Sequence, residues 1–153
     1  MPFTNPSASI QAFWTDQARE LLARVTIGQV TFQVVGFSVG RGGYDTDPTQ
    51  VIPLDTSLTA LIDQVYPDVT GYQALQEMDQ PTPTSAVYVC RLPNTPVPSN
   101  ADYGLGELGL WAQILTSNNP AEVGQVFLFA VAHFPIRAKT NLDAWLYRVV
   151  TQY

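Results

Sequence analysis

The residues able to do chemistry are few and scattered. Gly104-Leu-Gly106-Glu-Leu-Gly109 fits G-x-G-x-x-G, the spacing with which a strand-turn-helix unit cradles a pyrophosphate. That unit needs a strand before the glycines and a helix after them. Pro96-Val-Pro98-Ser-Asn comes before, which is no strand, and Leu110-Trp111-Ala112-Gln113-Ile114 follows with strand composition. Where an acid would hold the ribose, about twenty residues on, the chain reads Val-Phe-Leu-Phe. Nucleotide binding is rejected. Asp45 and Asp47 hint at calcium, but no further spaced acids and no closing glutamate follow them. Cys90 and His133 are the single residues of their types, too few for a zinc site. Cys90 reads as a packed thiol on a strand, and His133 as a structural histidine between Ala132 and Phe134. No catalytic, cofactor-binding or metal-binding residue is expected, nor is enzyme activity. One acid remains. Glu107 sits among glycines at the start of an apolar run, where a carboxylate either accepts from backbone N–H groups in a charge-assisted bond or stands as a solvated acid.

The totals narrow the classes further. With 153 residues the chain is expected to form a single domain over 1–153 that buries a core without staples. Charged residues are 13% and the net charge is −6. Seven scattered Lys and Arg make no basic face, so nucleic acid and anionic membrane are not expected partners. The start, Met-Pro-Phe-Thr-Asn-Pro, lacks the basic and apolar runs of a signal peptide, and no apolar stretch approaches a membrane span. Low charge leaves a surface rich in Thr, Gln, Asn, Ser and Pro, common in proteins built into assemblies.

Several elements must position these residues. Residues 1–7 read as an extended tail. Ile10, Phe13, Trp14, Ala18, Leu21, Leu22 and Val25 keep helical spacing, predicting one long amphipathic helix capped by Ser7 or Ser9. Gln29 to Val34 alternates as a strand. The alternation slips at Val34-Val35 and resumes at Phe37 and Val39, predicting a bulge. Gly40 to Pro48 is a glycine loop, and residues 51–54 a short edge piece. Asp55 or Ser57 would cap a short helix through Leu58, Leu61, Ile62 and Val65. Residues 66–84 read as irregular, with a turn of helix at 72–78. Ser85–Leu92 is a strand and 93–103 a Pro-rich loop. Two strands flank Thr116-Ser117-Asn118-Asn119-Pro120 as a hairpin, and a last strand lies within 142–153. The expected fold is α+β: a mostly antiparallel β-sheet or small sandwich with one long N-terminal amphipathic helix packed against it.

Glu107-Leu108-Gly109-Leu110-Trp111 is followed by a strand, a turn with Gly124, then Leu128-Phe129-Ala130-Val131, Phe134-Pro135 and Lys139. This order resembles the tail-collar or tail-fibre amino-terminal family of contractile-tailed bacteriophages, whose members carry a Glu-(Ile/Leu)-Gly-(Leu/Ile)-(Phe/Trp) box. Val39-Gly40-Arg41-Gly42 is similar to the family's Val-Gly-x-Gly loop, and the likeness spans residues 10–140 as a loose pattern. The family's proteins continue into a long trimeric fibre that these residues do not contain, and the loop at 93–103 departs from its pattern. The resemblance implies a virion protein without cofactors that joins tail fibre to baseplate, contacts wedge and fibre proteins and self-associates, with a trimer as first guess. Gly104, Gly106, Glu107, Gly109 and Trp111 are the turn and interface candidates, the glycines letting the chain turn into a strand near another chain. A small receptor- or carbohydrate-binding tail tip is the alternative, with Tyr44, Tyr72 and Tyr103 as its loop aromatics.

Overall fold

The computed structural model describes residues 8–40, 42, 55–66, 72–74, 77–82, 85–92, 103–139 and 145–152. The expected tail at 1–7, Tyr44, Asp45, Asp47, the edge piece at 51–54 and residues 93–102 lie outside them. The strands are β1 (Ala8–Trp14), β2 (Val30–Gly40), β3 (Gln64–Tyr66), β4 (Gln73–Ala74), β5 (Glu77–Thr82), β6 (Ser85–Leu92), β7 (Tyr103–Ser117), β8 (Val126–Lys139) and β9 (Trp145–Gln152). Their order is β3-β2-β7-β8-β1-β9-β6-β5, with β4 also beside β2. Pairing is antiparallel except between β1 and β9. Ala74 pairs with Gly36 of β2, while Glu77 pairs with Val89 of β6. Three residue steps span at most about 11 Å. The two ends of the strand order are thereby drawn together, and the sheet curls on itself. Its inner face holds one core, from Ala12 and Val149 on one side through Phe129 and Leu110 to Phe37 and Tyr88.

The expected architecture needs two corrections. The first concerns the helix. Residues 8–14 form β1, and helix α1 covers Asp16–Thr26, 11 residues. Over these seven residues Ala8, Ile10, Ala12 and Trp14 also alternate as a strand does, and here pairing decides. Ala8 to Phe13 align with Tyr147 to Gln152 in parallel, and Phe13 and Trp14 with Val131 and Ala130. The cap is Thr15, not Ser7 or Ser9: its Oγ1 accepts from the Ala18 N–H at 3.2 Å. Thr15 Oγ1 also donates to the Leu128 carbonyl at 2.7 Å, and its N–H donates to Phe129 O at 3.0 Å. One buried threonine thus ends a strand, starts a helix and ties both to β8. Ala18 and Leu21 then enter the core. Gly28 leaves the helix at φ 77°, a left-handed conformation suited to glycine. The second concerns the two layouts left open: the strands form one mostly antiparallel sheet, curled on itself, and not a sandwich.

Bulges keep the apolar side chains on the inner face. β2 shifts register on β7 between Val34 and Gly36. Phe32 and Val34 before the shift, and Phe37 and Val39 after it, all join the same core. The alternation slip read from the sequence is this bulge. β8 shifts likewise, with Leu110 opposite Ala130 and Trp111 opposite Leu128. Phe129 is the extra residue, so Phe129 and Ala130 both face inward.

The predicted helix through Leu58 and Val65 does not form. Residues 55–63 run as turns and bends into β3. The turn of helix expected at 72–78 is replaced by β4 and the start of β5. Tyr103, assigned to the Pro-rich loop, opens β7. The β7–β8 turn contains a 3-10 helix, Pro120–Glu122. Arg24 of α1 clips it: the guanidinium donates to Glu122 Oε1 at 3.1 Å and Oε2 at 2.9 Å, and to Asn118 Oδ1 at 2.9 Å.

Two outcomes follow from these ties. Thr15→Val removes the cap and leaves the Leu128 carbonyl without its donor. Urea unfolding should show a loss of about 1–2 kcal/mol. The Arg24 guanidinium, with Ser117 and Asn119, holds the Glu122 carboxyl below its ordinary range. A depressed carboxylate contributes stability above its unfolded value, about 4.3. That contribution fades as pH falls through the folded value. Arg24→Gln should therefore flatten the acid limb of a stability-against-pH curve while lowering neutral-pH stability.

Candidate functional site

Along β7 the pleat sends alternate side chains to opposite faces. Leu108, Leu110, Ala112 and Ile114 enter the inner core. Glu107, Gly109 and Trp111 therefore face outward, and the chain covers them. Leu61 packs with Leu128 and Val131, and Leu58 and Trp111 pack against that group. The Glu-Leu-Gly-Leu-Trp box is thus a two-faced strand. Its leucines build the core, and its Glu, Gly and Trp form an outer site under residues 55–63.

Glu107 is wholly buried. Its Oε2 accepts from the Gly42 N–H at 2.8 Å and the Asp63 N–H at 2.7 Å, and its Oε1 from the Ile62 N–H at 2.8 Å. A buried carboxylate is unfavourable by far more than one hydrogen bond returns, unless several donors converge on it. Here three backbone donors from two segments do so. The Ile62 N–H serves Glu107 rather than a carbonyl one turn back, a physical reason for the missing helix.

Glycines make the approach possible. A Cβ on Gly42 would overlap Glu107 Oε2 and the Ile62 side chain. A Cβ on Gly40 would overlap the Asp63 carbonyl and Glu107 Oε2. On Gly109 it would stand 2.8 Å from Leu128 Cδ1 and 3.0 Å from Leu61 Cδ2. Gly40 pairs with Glu107 across the β2–β7 ladder, which sets the glycine segment over the carboxylate. Trp111 Nε1 donates to Ser38 Oγ at 2.8 Å, satisfying a buried hydroxyl beside the same face. The far end of the covering segment is tied to α1: the Asp16 N–H donates to Thr56 O at 2.8 Å, and Thr56 Oγ1 donates to Asp16 Oδ1 at 2.9 Å. Asp55 opens the segment, its carboxyl held below the ordinary range by the Ser57 hydroxyl and then by the Ser57 N–H.

The five sequence candidates separate as follows. Glu107, Gly109 and Trp111 share the outer site. Gly104 and Gly106 lie inside β7, not at a turn leading into it. Gly106 lies where β7 shifts register on β8, one residue between Leu105 and Glu107 standing against three between His133 and Arg137. Glu107 does take backbone N–H groups, but from Gly42, Ile62 and Asp63 of this same chain. Sequence reasoning missed Ile62, Asp63 and the pairing of Gly40 and Gly42 with Glu107. The signal available was the G-x-G spacing itself, two glycines flanking Arg41 at a strand end. His133 stands opposite Glu107 on β8, while Cys90 lies on β6 with β9 and β1 between those strands. Among the described residues, no group of three His, Cys, Asp or Glu is disposed to hold a metal ion. No helix of the described residues is long and apolar enough to cross a membrane. No model of a known protein family matches this chain, and neither a curated protein nor a solved structure matches it.

What the arrangement does chemically is join segments distant in sequence. Glu107→Ala would strand three N–H donors, each worth about 1–3 kcal/mol when unpaired and buried. Gly42→Ala would push a methyl into the same carboxylate. Both variants should unfold at clearly lower urea than Ala121→Gly, a change at an exposed site. Unchanged midpoints would remove the carboxylate from its assigned role.

Proposed function

We propose that this chain is a structural protein of a contractile bacteriophage tail, attaching a tail fibre to the baseplate. One observation carries the reading. The two motifs behind the family resemblance, Val39-Gly-Arg-Gly42 and Glu107-Leu-Gly-Leu-Trp111, are 65 positions apart at their contact, yet they join through the Gly42 N–H and Glu107 Oε2. A pattern shared by chance has no reason to place its separate parts against one buried carboxylate. Trp111 supports the same reading, since its indole closes the outer site on Ser38. In this role the chain is a rigid adaptor of the virion. It contacts baseplate wedge and tail-fibre proteins and self-associates, a trimer being the first expectation. Low charge and a Thr/Gln/Asn-rich surface suit such an assembly.

The test combines mass and partner. Light scattering on the chromatographed chain should give an oligomer, with three copies expected. The immobilised chain should retain a baseplate wedge protein from a phage-infected lysate. A stable monomer that retains no tail protein and binds a glycan would overturn the reading in favour of a receptor-binding tip.

A further inference from the structure

One end of the molecule gathers exposed apolar surface. The α1–β2 turn and the β7–β8 turn meet there, as the Asn118 N–H donates to Gln29 O at 2.8 Å and Val30 pairs with Ser117. Of six large apolar side chains exposed among the described residues, four lie on these two turns and the strand ends beside them: Ile27, Leu115, Val123 and Val126. Ile27 is 68% exposed and Val123 51%. Leu115 is the extra residue of a bulge between the Thr31–Thr116 and Phe32–Ile114 pairs. Neither turn needs these side chains for its own geometry, which rests on Arg24, Glu122 and Asn119. Exposed apolar groups scattered singly are ordinary, whereas a cluster with polar neighbours marks an interaction surface.

The same end contains a groove of about 440 Å3 between α1 and the β7–β8 turn. Leu21 and Ile114 floor it, and Gln17, Glu20 and Gln125 stand at its walls. Its charges tell what it can take. Arg24 is consumed by both oxygens of Glu122 and by Asn118. An anion would have to break that network. Glu20 remains as an exposed carboxylate with no ion-pair partner among the described residues. A sugar is disfavoured because no aromatic ring lines the groove. A second copy meeting this end with its own like end would set Glu20 against Glu20, so the expected self-association is assigned to other faces.

We infer that this end docks a partner polypeptide that lays a Lys or Arg side chain beside Glu20 and apolar side chains on Leu21, Ile114, Val123 and Val126. The inference deepens the attachment reading by naming the end that docks. The assay below reads this surface by itself, so its failure is distinguishable from failure to retain a wedge protein.

The probe is acetyl-Leu-Arg-Leu-amide, titrated into the full 15N-labelled chain at low salt, with acetyl-Leu-Gln-Leu-amide as control. The arginine peptide should give saturable amide shifts at Gln17, Glu20, Val123, Gln125 and Val126 in the millimolar range. The glutamine peptide should bind up to about fivefold more weakly, the upper range for an exposed charge pair. Glu20→Lys should weaken the arginine peptide at least as much, and Glu20→Gln by an intermediate amount. Both variants should retain the parent spectrum elsewhere. Equal binding of the two peptides, shifts centred elsewhere, or no saturable shift would overturn the inference. Concentration-dependent shifts at this end without peptide would also overturn it, assigning the surface to a second copy.

Discussion

A carboxylate buried in a protein must be met by donors, and Glu107 is met by three backbone N–H groups. This requirement shapes its surroundings. Gly42 and the Ile62–Asp63 segment are brought to the outer face of β7 because their amides are the donors. Gly40 and Gly42 carry no side chain because a Cβ would occupy the oxygen's place. Residues 55–63 forgo helix because the Ile62 amide is committed elsewhere. A single acid thereby accounts for two glycines, a non-helical segment and the cover over one sheet face. The tie at the other end, between Thr56 and Asp16, links this cover to the start of α1.

The second constraint is that the sheet has two faces to fill. The inner face takes aliphatic and aromatic side chains from β1, β2, β6, β7, β8 and β9, together with α1. Burial of each such side chain is worth about 1.5–3 kcal/mol. That is larger than the cost of an irregularity in pairing, so the bulge at Phe129 on β8 keeps Ala130 and Ala132 on the inner face, and the one at Val35 on β2 keeps Phe37 and Val39 there. The bulge at Phe129 also presents the carbonyls that Thr15 binds, which sets where β1 stops and α1 begins. Core filling and helix position are thus one problem solved at one place.

Much of this was legible in residue types. The β7–β8 hairpin, the strands at 85–92 and near the end, and the β2 bulge follow from alternation and turn residues. The true extent of the helix was not legible, because Ile10, Phe13 and Trp14 keep helical spacing while Ala8, Ile10, Ala12 and Trp14 alternate as a strand does. Their state depends on pairing with β8 and β9, more than a hundred positions away. Thr15-Asp16 carried a cap signal of its own, in competition with Ser7 and Ser9. Leu58, Leu61, Ile62 and Val65 keep helical spacing, yet a distant carboxylate overrides it. Within the site, the glycines and the acid could each be singled out from sequence. Their meeting could not, since it depends on the register that sets Gly40 opposite Glu107.

Amide hydrogen exchange on the parent chain and Glu107→Gln tests the carboxylate's organising role most directly. A glutamine is nearly isosteric but offers one acceptor oxygen, and its NH2 group would face amide donors. Exchange should quicken at Gly42, Ile62 and Asp63, and at amides of residues 58–61, while the amides paired among β1, β8 and β9 keep their protection. Unchanged exchange at Gly42, Ile62 and Asp63 would contradict the claim that Glu107 holds these segments to the sheet.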